Sequence, residues 1–292
     1  MSVRAELCYG IGKALMKPPA PRVAEAGKYG EWRYGEMVRS WSHFSNAAVD
    51  GKDVLDFGCG DGPLSFYLAP AASPMSITGV DLLPQAIARA RHALSSQHPT
   101  TLTCLIEFRV GEEQRLPVAD AIIDTILVFD CMEHIMNPEA IMAEWRRVLR
   151  PDGRVLIEWS PFKSPWGSHM QSLLPVPWAH VLFGERALFE AAERLYDDPD
   201  YRPRHWDLDP QGRRRPNRWR THRRFRDFGY LNQLDVRSFK RIAADSGFSA
   251  ERFEAKPIGG GGMKRTAGKL LLALPLVGEY ATDFIVAEIR AR

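Results

Sequence analysis

Cysteine is scarce in this chain: four residues in 292, at positions 8, 59, 104 and 131. They form no C-x-x-C pair and have no histidine at zinc-finger spacing, which argues against a disulfide scaffold, a structural zinc site or a metal centre. Long hydrophobic runs are also missing. The longest, Leu270 to Gly278, contains Pro275 and falls far short of the roughly 20 residues that span a bilayer. Lys13, Lys17 and three prolines interrupt the N-terminal stretch where a secretory leader would need an apolar core. The expectation is a soluble, cytoplasmic chain. Excess charge of one sign is absent too: 39 Lys and Arg against 36 Asp and Glu leave +3, too mild to imply a nucleic-acid partner.

What the chain does contain is ordinary in bulk and uneven in detail. Hydrophobic residues make up 45% and charged residues 26%, as in soluble globular proteins. The length suits one large domain or two small ones, at about 150 residues each. One feature stands out: eight arginines lie between Arg213 and Arg226.

From Asp53 to Ser160 the pattern alternates. Asp53–Phe57, Ser76–Val80, Leu105–Val110, Asp124–Phe129 and Val155–Trp159 read as strands. Between them, Pro63 and Pro84 suit first helical positions, and Asn137-Pro138 forms a cap and first turn before the apolar face of Ile141, Met142, Trp145, Val148 and Leu149. Strand and helix in alternation imply right-handed crossovers and an open parallel sheet. The alternation stops between Pro161 and Leu234, a stretch rich in Pro, Trp, His and Arg, with a helix expected at Arg186–Tyr196. Seventy residues are too many for a structureless connection, so this is read as an insert or lid. A helix capped by Asp235 and closed by Gly247 follows, then strands at Phe253–Ile258 and Phe284–Ile289 with the Gly259–Gly262 turn between them. The expected division is a helical cap (1–50), a nucleotide-binding core (51–160), an insert (161–234) and completion of the sheet (235–292).

The chemistry concentrates at Asp56-Phe-Gly58-Cys-Gly60-Asp-Gly62. In open α/β sheets, ligands bind outside the carboxyl ends of strands, where a glycine-rich turn lets backbone approach them. The dinucleotide pattern G-x-G-x-x-G would need glycine at 63, which is Pro63. A carboxylate two residues before the turn repels a pyrophosphate but suits an ammonium-bearing ligand. Asp81, ending the second strand, is placed to accept hydrogen bonds from both hydroxyls of a ribose. A NAD-type oxidoreductase remains the alternative for ribose recognition alone.

These residues resemble the class I S-adenosylmethionine-dependent methyltransferases, specifically the type-11 group of small-molecule enzymes. The resemblance rests on Val-Leu-Asp-Phe-Gly-Cys-Gly-Asp-Gly at 54–62, Gly-Val-Asp at 79–81 and Gly-Glu-Glu-Gln-Arg-Leu-Pro at 111–117. It continues through Phe-Asp-Cys-Met-Glu-His at 129–134 and Leu-Arg-Pro-Asp-Gly at 149–153. It implies a Rossmann-like, open, seven-stranded, mostly parallel sheet with helices on both faces, and a helical or irregular insert covering the acceptor site. It also implies S-adenosyl-L-methionine as cofactor and S-adenosyl-L-homocysteine as product. Asp56, Gly58, Cys59 and Gly60 would face the methionine part, Asp81 would hold the ribose, and Leu82 would pack beside the adenine. Glu112 and Glu113 take the place of an adenine-contacting acidic residue, although the family more often has Asp and a small residue there. Phe129 and Asp130 would line the cofactor. Cys59 and Cys131 are read as packing residues rather than nucleophiles.

A sulfonium methyl donor is already electrophilic, so the protein's task is to align the partners, exclude water and, for a hydroxyl acceptor, remove a proton. His134, His169 and His180 are the candidate bases, each with a structural role as the alternative. Tyr29, Trp32 and Tyr34 are read as either closing over the cofactor or docking contacts. The expected acceptor is a small-molecule hydroxyl, with an anionic, glycan-linked or lipid-linked acceptor also open. Arg213–Arg226 reads as an RNA-binding strip of an RNA methyltransferase, an anion clamp, or an ion-paired surface. The nearby Asp197, Asp198, Asp200, Asp207, Asp209 and Asp227 argue against nucleic acid. Residues 264–280 combine basic and apolar positions, as a packed late helix or a peripheral membrane contact would.

Overall fold

The structure, a computed structural model, describes residues 2–18, 20, 26–97, 104–259, 262–274 and 277–292. Its elements run α1 (Val3–Leu15), α2 (Ala26–Trp41), β1 (Asp53–Phe57), α3 (Pro63–Ala71), β2 (Ser76–Asp81), α4 (Pro84–Gln97), β3 (Leu105–Val110) and β4 (Ile123–Phe129). They continue with α5 (Pro138–Val148), β5 (Leu149–Trp159), α6 (Ala179–Leu182), α7 (Glu185–Asp197), α8 (Val236–Asp245), β6 (Phe248–Pro257), α9 (Gly262–Leu272) and β7 (Thr282–Ala291). The seven strands form one open sheet in the order β3-β2-β1-β4-β5-β7-β6. Strands β1 to β5 pair in parallel, and β7 runs antiparallel to β5. The fold is therefore Rossmann-like and mostly parallel.

Local chemistry explains the helix starts. Asn137 Oδ1 accepts from the Ala140 amide at 3.1 Å and Pro138 takes the first helical position of α5, with Arg146 and Arg147 in its last turn. At α3 the left-handed Gly62 leads into Pro63, whose missing N–H would have had no intrahelical partner. β5 begins six residues before Val155, because Leu149 pairs with Ile123 ahead of the bend at Asp152 (φ 63°). The segment read as a late helix or membrane contact is α9. Leu270 and Leu271 on it, and Leu274 and Val277 after it, are exposed, while Gly260 and Gly261 of the expected turn, and Pro275 and Leu276, lie outside the described residues. Among the described residues, no helix is long and apolar enough to cross a membrane.

The chain divides into two compact units. The sheet unit comprises residues 34–159, 236–256 and 284–292. On one face of its sheet, Val54, Ile77, Leu127 and Leu156 are buried with Trp41, Leu64, Leu68 and Ile87. On the other, Phe57 meets Trp145 and Trp159 meets Phe239, each pair with ring centroids 5.4 Å apart. Burying each such large apolar side chain contributes about 1.5–3 kcal/mol.

The second unit comprises residues 1–33, 160–235 and 257–283. Its core holds Ala5 and Cys8 of α1 and Leu188, Phe189, Ala192 and Leu195 of α7, together with Trp219 and Phe225. Several of the polar groups inside are paired. Tyr201 Oη donates to Asp207 Oδ2 at 2.6 Å, and both Tyr9 Oη (2.6 Å) and Lys13 Nζ (2.9 Å) donate to Asp198.

Candidate functional site

Parallel pairing in the order β3-β2-β1-β4 puts the carboxyl ends of four strands on one edge of the sheet. Asp56 lies near the end of β1 and Gly58, Cys59 and Gly60 follow it, Asp81 ends β2 and Leu82 follows, Glu112 and Glu113 follow β3, and Phe129 ends β4 with Asp130 next. The topology thus gathers all ten residues expected to hold the cofactor.

Asp81 ties the first two ends together. Its Oδ2 accepts from the Gly60 amide at 2.9 Å and its Oδ1 from the Leu83 amide at 2.8 Å. Its backbone carbonyl takes the Gly111 amide at 2.9 Å, drawing in the end of β3. A carboxylate offers about four acceptor positions, so this one fixes the turn and retains capacity for a diol. The turn is further anchored by Gly58 and Cys59, whose amides both donate to the Val80 carbonyl, at 2.8 and 3.1 Å. Gly58 has φ +73°, and a Cβ there would collide with Cys131 Sγ, so glycine is required twice over. At Gly60 (φ +53°) a Cβ would meet nothing within 4 Å. The space beside this backbone is open.

Asp56 is buried and accepts from Ser65 Oγ of α3 at 2.6 Å. Burial, reinforced by the Asp56 and Asp81 carboxylates, pushes the Cys59 thiol far up. It stays protonated, as a packing residue would. Leu82 is half-exposed, and Glu112 and Glu113 are exposed, with the Glu112 amide donating to the Arg115 carbonyl. Phe129 stacks on Phe44 at 5.2 Å and 12°. Asp130 adopts φ +50°, a left-handed conformation that costs a non-glycine residue about 1–2 kcal/mol. Its amide donates to the Glu158 carbonyl at 2.9 Å, which holds the chain in that bend.

Of the three candidate bases, only His134 belongs to the sheet unit. It closes a short 3-10 turn, Met132–His134, with its amide donating to the Cys131 carbonyl. His169 and His180 belong to the second unit. His180 is buried, its Nε2–H donates to the Phe162 carbonyl at 2.6 Å, and burial lowers its pKa. His169 has φ +54° and its amide donates to the Trp166 carbonyl. The early aromatics divide as well. Tyr29 packs on Trp32, His205 and Trp206 in the second unit, and Tyr34 packs on Tyr67 in the sheet unit.

Partners within the second unit account for most of the arginine cluster. Arg213 pairs with Asp209, Arg220 with Asp197, Arg223 with Glu193 and Arg226 with Asp227. Arg214 lies 4.2 Å over Tyr196, Arg218 lies 5.0 Å over Trp219, and Arg215 donates to the Leu208 carbonyl. Arg223 and Arg224 also line a cavity of about 700 Å³ with Arg186, but Glu185 and Glu190 line it too. Its walls are mixed in charge, unlike a phosphate clamp.

Two groups at the strand ends escape a reading of the motifs. Ser65 has no signal in the sequence. Glu158 has one: it is a charged residue inside the apolar run Val155-Leu-Ile-Glu-Trp159, and it is buried.

Comparison with known proteins agrees with this geometry. Residues 55–157 match the family model described as a methyltransferase domain. The chain is similar to a ubiquinone biosynthesis O-methyltransferase of Idiomarina loihiensis, 34% identical over 106 residues, covering 36% of this chain and 41% of that one. It is also similar to a norajmaline N-methyltransferase of Rauvolfia serpentina, 27% identical over 122 residues, covering 42% and 40%. The chain therefore spans less than half the length of these relatives. Among solved structures, an S-adenosylmethionine-dependent methyltransferase from Mesorhizobium loti has the same fold, with a TM-score of 0.51 at 17% identity over 87% of this chain and 97% of that one.

Proposed function

With residues 55–157 identified as a class I S-adenosylmethionine-dependent methyltransferase domain of the type-11 group, we propose that the chain transfers a methyl group from S-adenosyl-L-methionine to a small-molecule hydroxyl. The observation that carries the donor half is Asp81, whose carboxylate joins the Gly60 and Leu83 amides at the ends of β1 and β2. In this reading the remaining acceptor capacity of Asp81 takes the ribose diol. The Gly58–Gly60 turn gives the methionine portion close access to backbone, and Asp56, braced by Ser65, supplies negative charge for its ammonium. Leu82 and Glu112 serve the adenine. When bound, the cofactor supplies an electrophilic methyl on a sulfonium. The chain's own work is to hold the two partners in line and to take the proton that a hydroxyl gives up.

A hydroxyl is preferred because the carboxyl ends of β4 and β5 carry groups able to take a proton. The pairing of the arginines with carboxylates of their own unit supports a small neutral acceptor over RNA. Isothermal titration of the full chain with S-adenosyl-L-homocysteine and, separately, with NADH tests the donor assignment. Saturable binding of the first alone is expected. Binding of NADH alone would return the chain to the oxidoreductase class.

A further inference from the structure

At the carboxyl end of β5, Glu158 is 8% exposed. It alternates with Ile157 and Trp159 and shares the face of Leu156, toward α2. Ser40 Oγ, on α2, donates to its Oε1 at 2.7 Å. Its Oε2 accepts no hydrogen bond among the described residues and lies 3.7 Å from His43 Nε2, within one side-chain adjustment of a hydrogen bond. A buried carboxylate with one oxygen unsatisfied costs free energy that a glutamine or leucine would avoid. Such a cost is characteristic of a group retained for a task.

The surroundings define the task. Arg39 and Glu36 approach from α2 and Asp130 from the end of β4, but burial dominates and pushes the Glu158 carboxyl up to about 7. His43 is lowered by burial and by Lys256, Arg39 and Arg252, with Glu254 opposing, so it is neutral at neutral pH. Its ring packs 5.4 Å from Phe284, and Arg252 fixes its backbone by donating to the His43 carbonyl at 2.7 Å. Trp41, Phe44 and Phe129 form an aromatic group on the same face of the sheet. In the order β2-β1-β4-β5, the end of β5 lies two strands, about 10 Å, from that of β1. That places Glu158 beside the donor positions rather than among them, where a second reactant belongs.

Resting on the methyl-transfer reading, we infer that Glu158, oriented by Ser40 and backed by His43, is the proton acceptor of an acceptor subsite for a small-molecule hydroxyl. The acceptor oxygen gives its proton to Glu158 Oε2 and forms its bond to the methyl carbon. The carbon–sulfur bond breaks, its electron pair stays on sulfur, and the proton leaves through His43, which reaches solvent.

The test uses the full chain saturated with S-adenosyl-L-homocysteine and titrated with 4-nitrocatechol, a hydroxyl probe whose colour reports its ionisation. Near pH ~8, above the Glu158 value of about 7 and so with its carboxylate free to take a proton, the native chain is expected to bind the probe saturably and raise its ionised fraction. Glu158→Gln keeps the shape and the Ser40 contact. It is expected to bind S-adenosyl-L-homocysteine within about twofold of the native chain, while the ionised fraction of bound probe falls roughly tenfold or more. Identical spectra for the native and Glu158→Gln chains would overturn the inference. So would the absence of any saturable probe signal in a chain that binds S-adenosyl-L-homocysteine. Failure to bind S-adenosyl-L-homocysteine at all would instead remove the methyl-transfer reading beneath it.

Discussion

The sheet unit and the arginine-rich unit use their charged residues in opposite directions. At the strand ends, a few carboxylates hold backbone turns in place while keeping acceptor capacity: Asp81 binds two amides, and Glu158 has one oxygen committed to Ser40. In the second unit, a far denser set of charges is turned on itself. Arg213, Arg220, Arg223 and Arg226 each meet a carboxylate, Arg214 covers Tyr196, and the buried Asp198 and Asp207 are fully engaged by tyrosines, a lysine and backbone. Density of charge in a sequence is therefore a poor guide to a binding site. What marks the site is a small number of polar groups whose geometry is fixed and whose bonding is incomplete.

That contrast can be broken most severely at Glu158. Its folded pKa is raised, so its favourable protonated form persists below the unfolded value near 4.5 and is lost as pH rises through about 7. Glu158→Gln should match the native chain in denaturant unfolding near pH 4.5 and exceed it by up to about 3 kcal/mol well above pH 7. A constant difference across that range would deny the burial effect. Next in size, Asp81→Ala should weaken S-adenosyl-L-homocysteine binding by roughly 100-fold in calorimetry, as expected when charge-assisted hydrogen bonds are lost. Near-native affinity would move the ribose elsewhere. Ser65→Ala leaves the buried Asp56 short of a partner and should cost about 2 kcal/mol in unfolding free energy. The smallest effect is expected in the second unit. Neutralising Arg213, Arg220 and Arg223 together to glutamine should leave the unfolding midpoint essentially unchanged, because exposed pairs contribute little. The same variant should show no change in retention on an RNA column; salt-sensitive retention lost in it would revive the nucleic-acid reading.

The sheet was legible because its signals are local. Asp53–Phe57 ends in a glycine turn, Asn137-Pro138 is a cap, and Gly247 is a stop, each a short pattern with one dominant conformation. That the ten cofactor candidates fall on one edge was legible for the same reason: parallel topology brings strand ends scattered from 56 to 130 together. Three things were not. The pairing of Leu149 with Ile123 lengthens β5 through a partner in another strand. The Ser65–Asp56 bond and the Ser40–Glu158–His43 group join residues 9 to 118 positions apart with no motif linking them. Of the partners of the arginines, Asp197, Asp209 and Asp227 were legible in the sequence, whereas Glu193, on α7 and thirty residues before Arg223, was not.

The central claim is that the turn after β1 and Asp81 after β2 hold the methyl donor. A crystal structure of the full chain with S-adenosyl-L-homocysteine tests it most directly. The ribose hydroxyls are predicted within hydrogen-bond distance of Asp81 and the homocysteine portion against Gly58–Gly60. A ligand bound anywhere else, or a ribose turned away from Asp81, would contradict it.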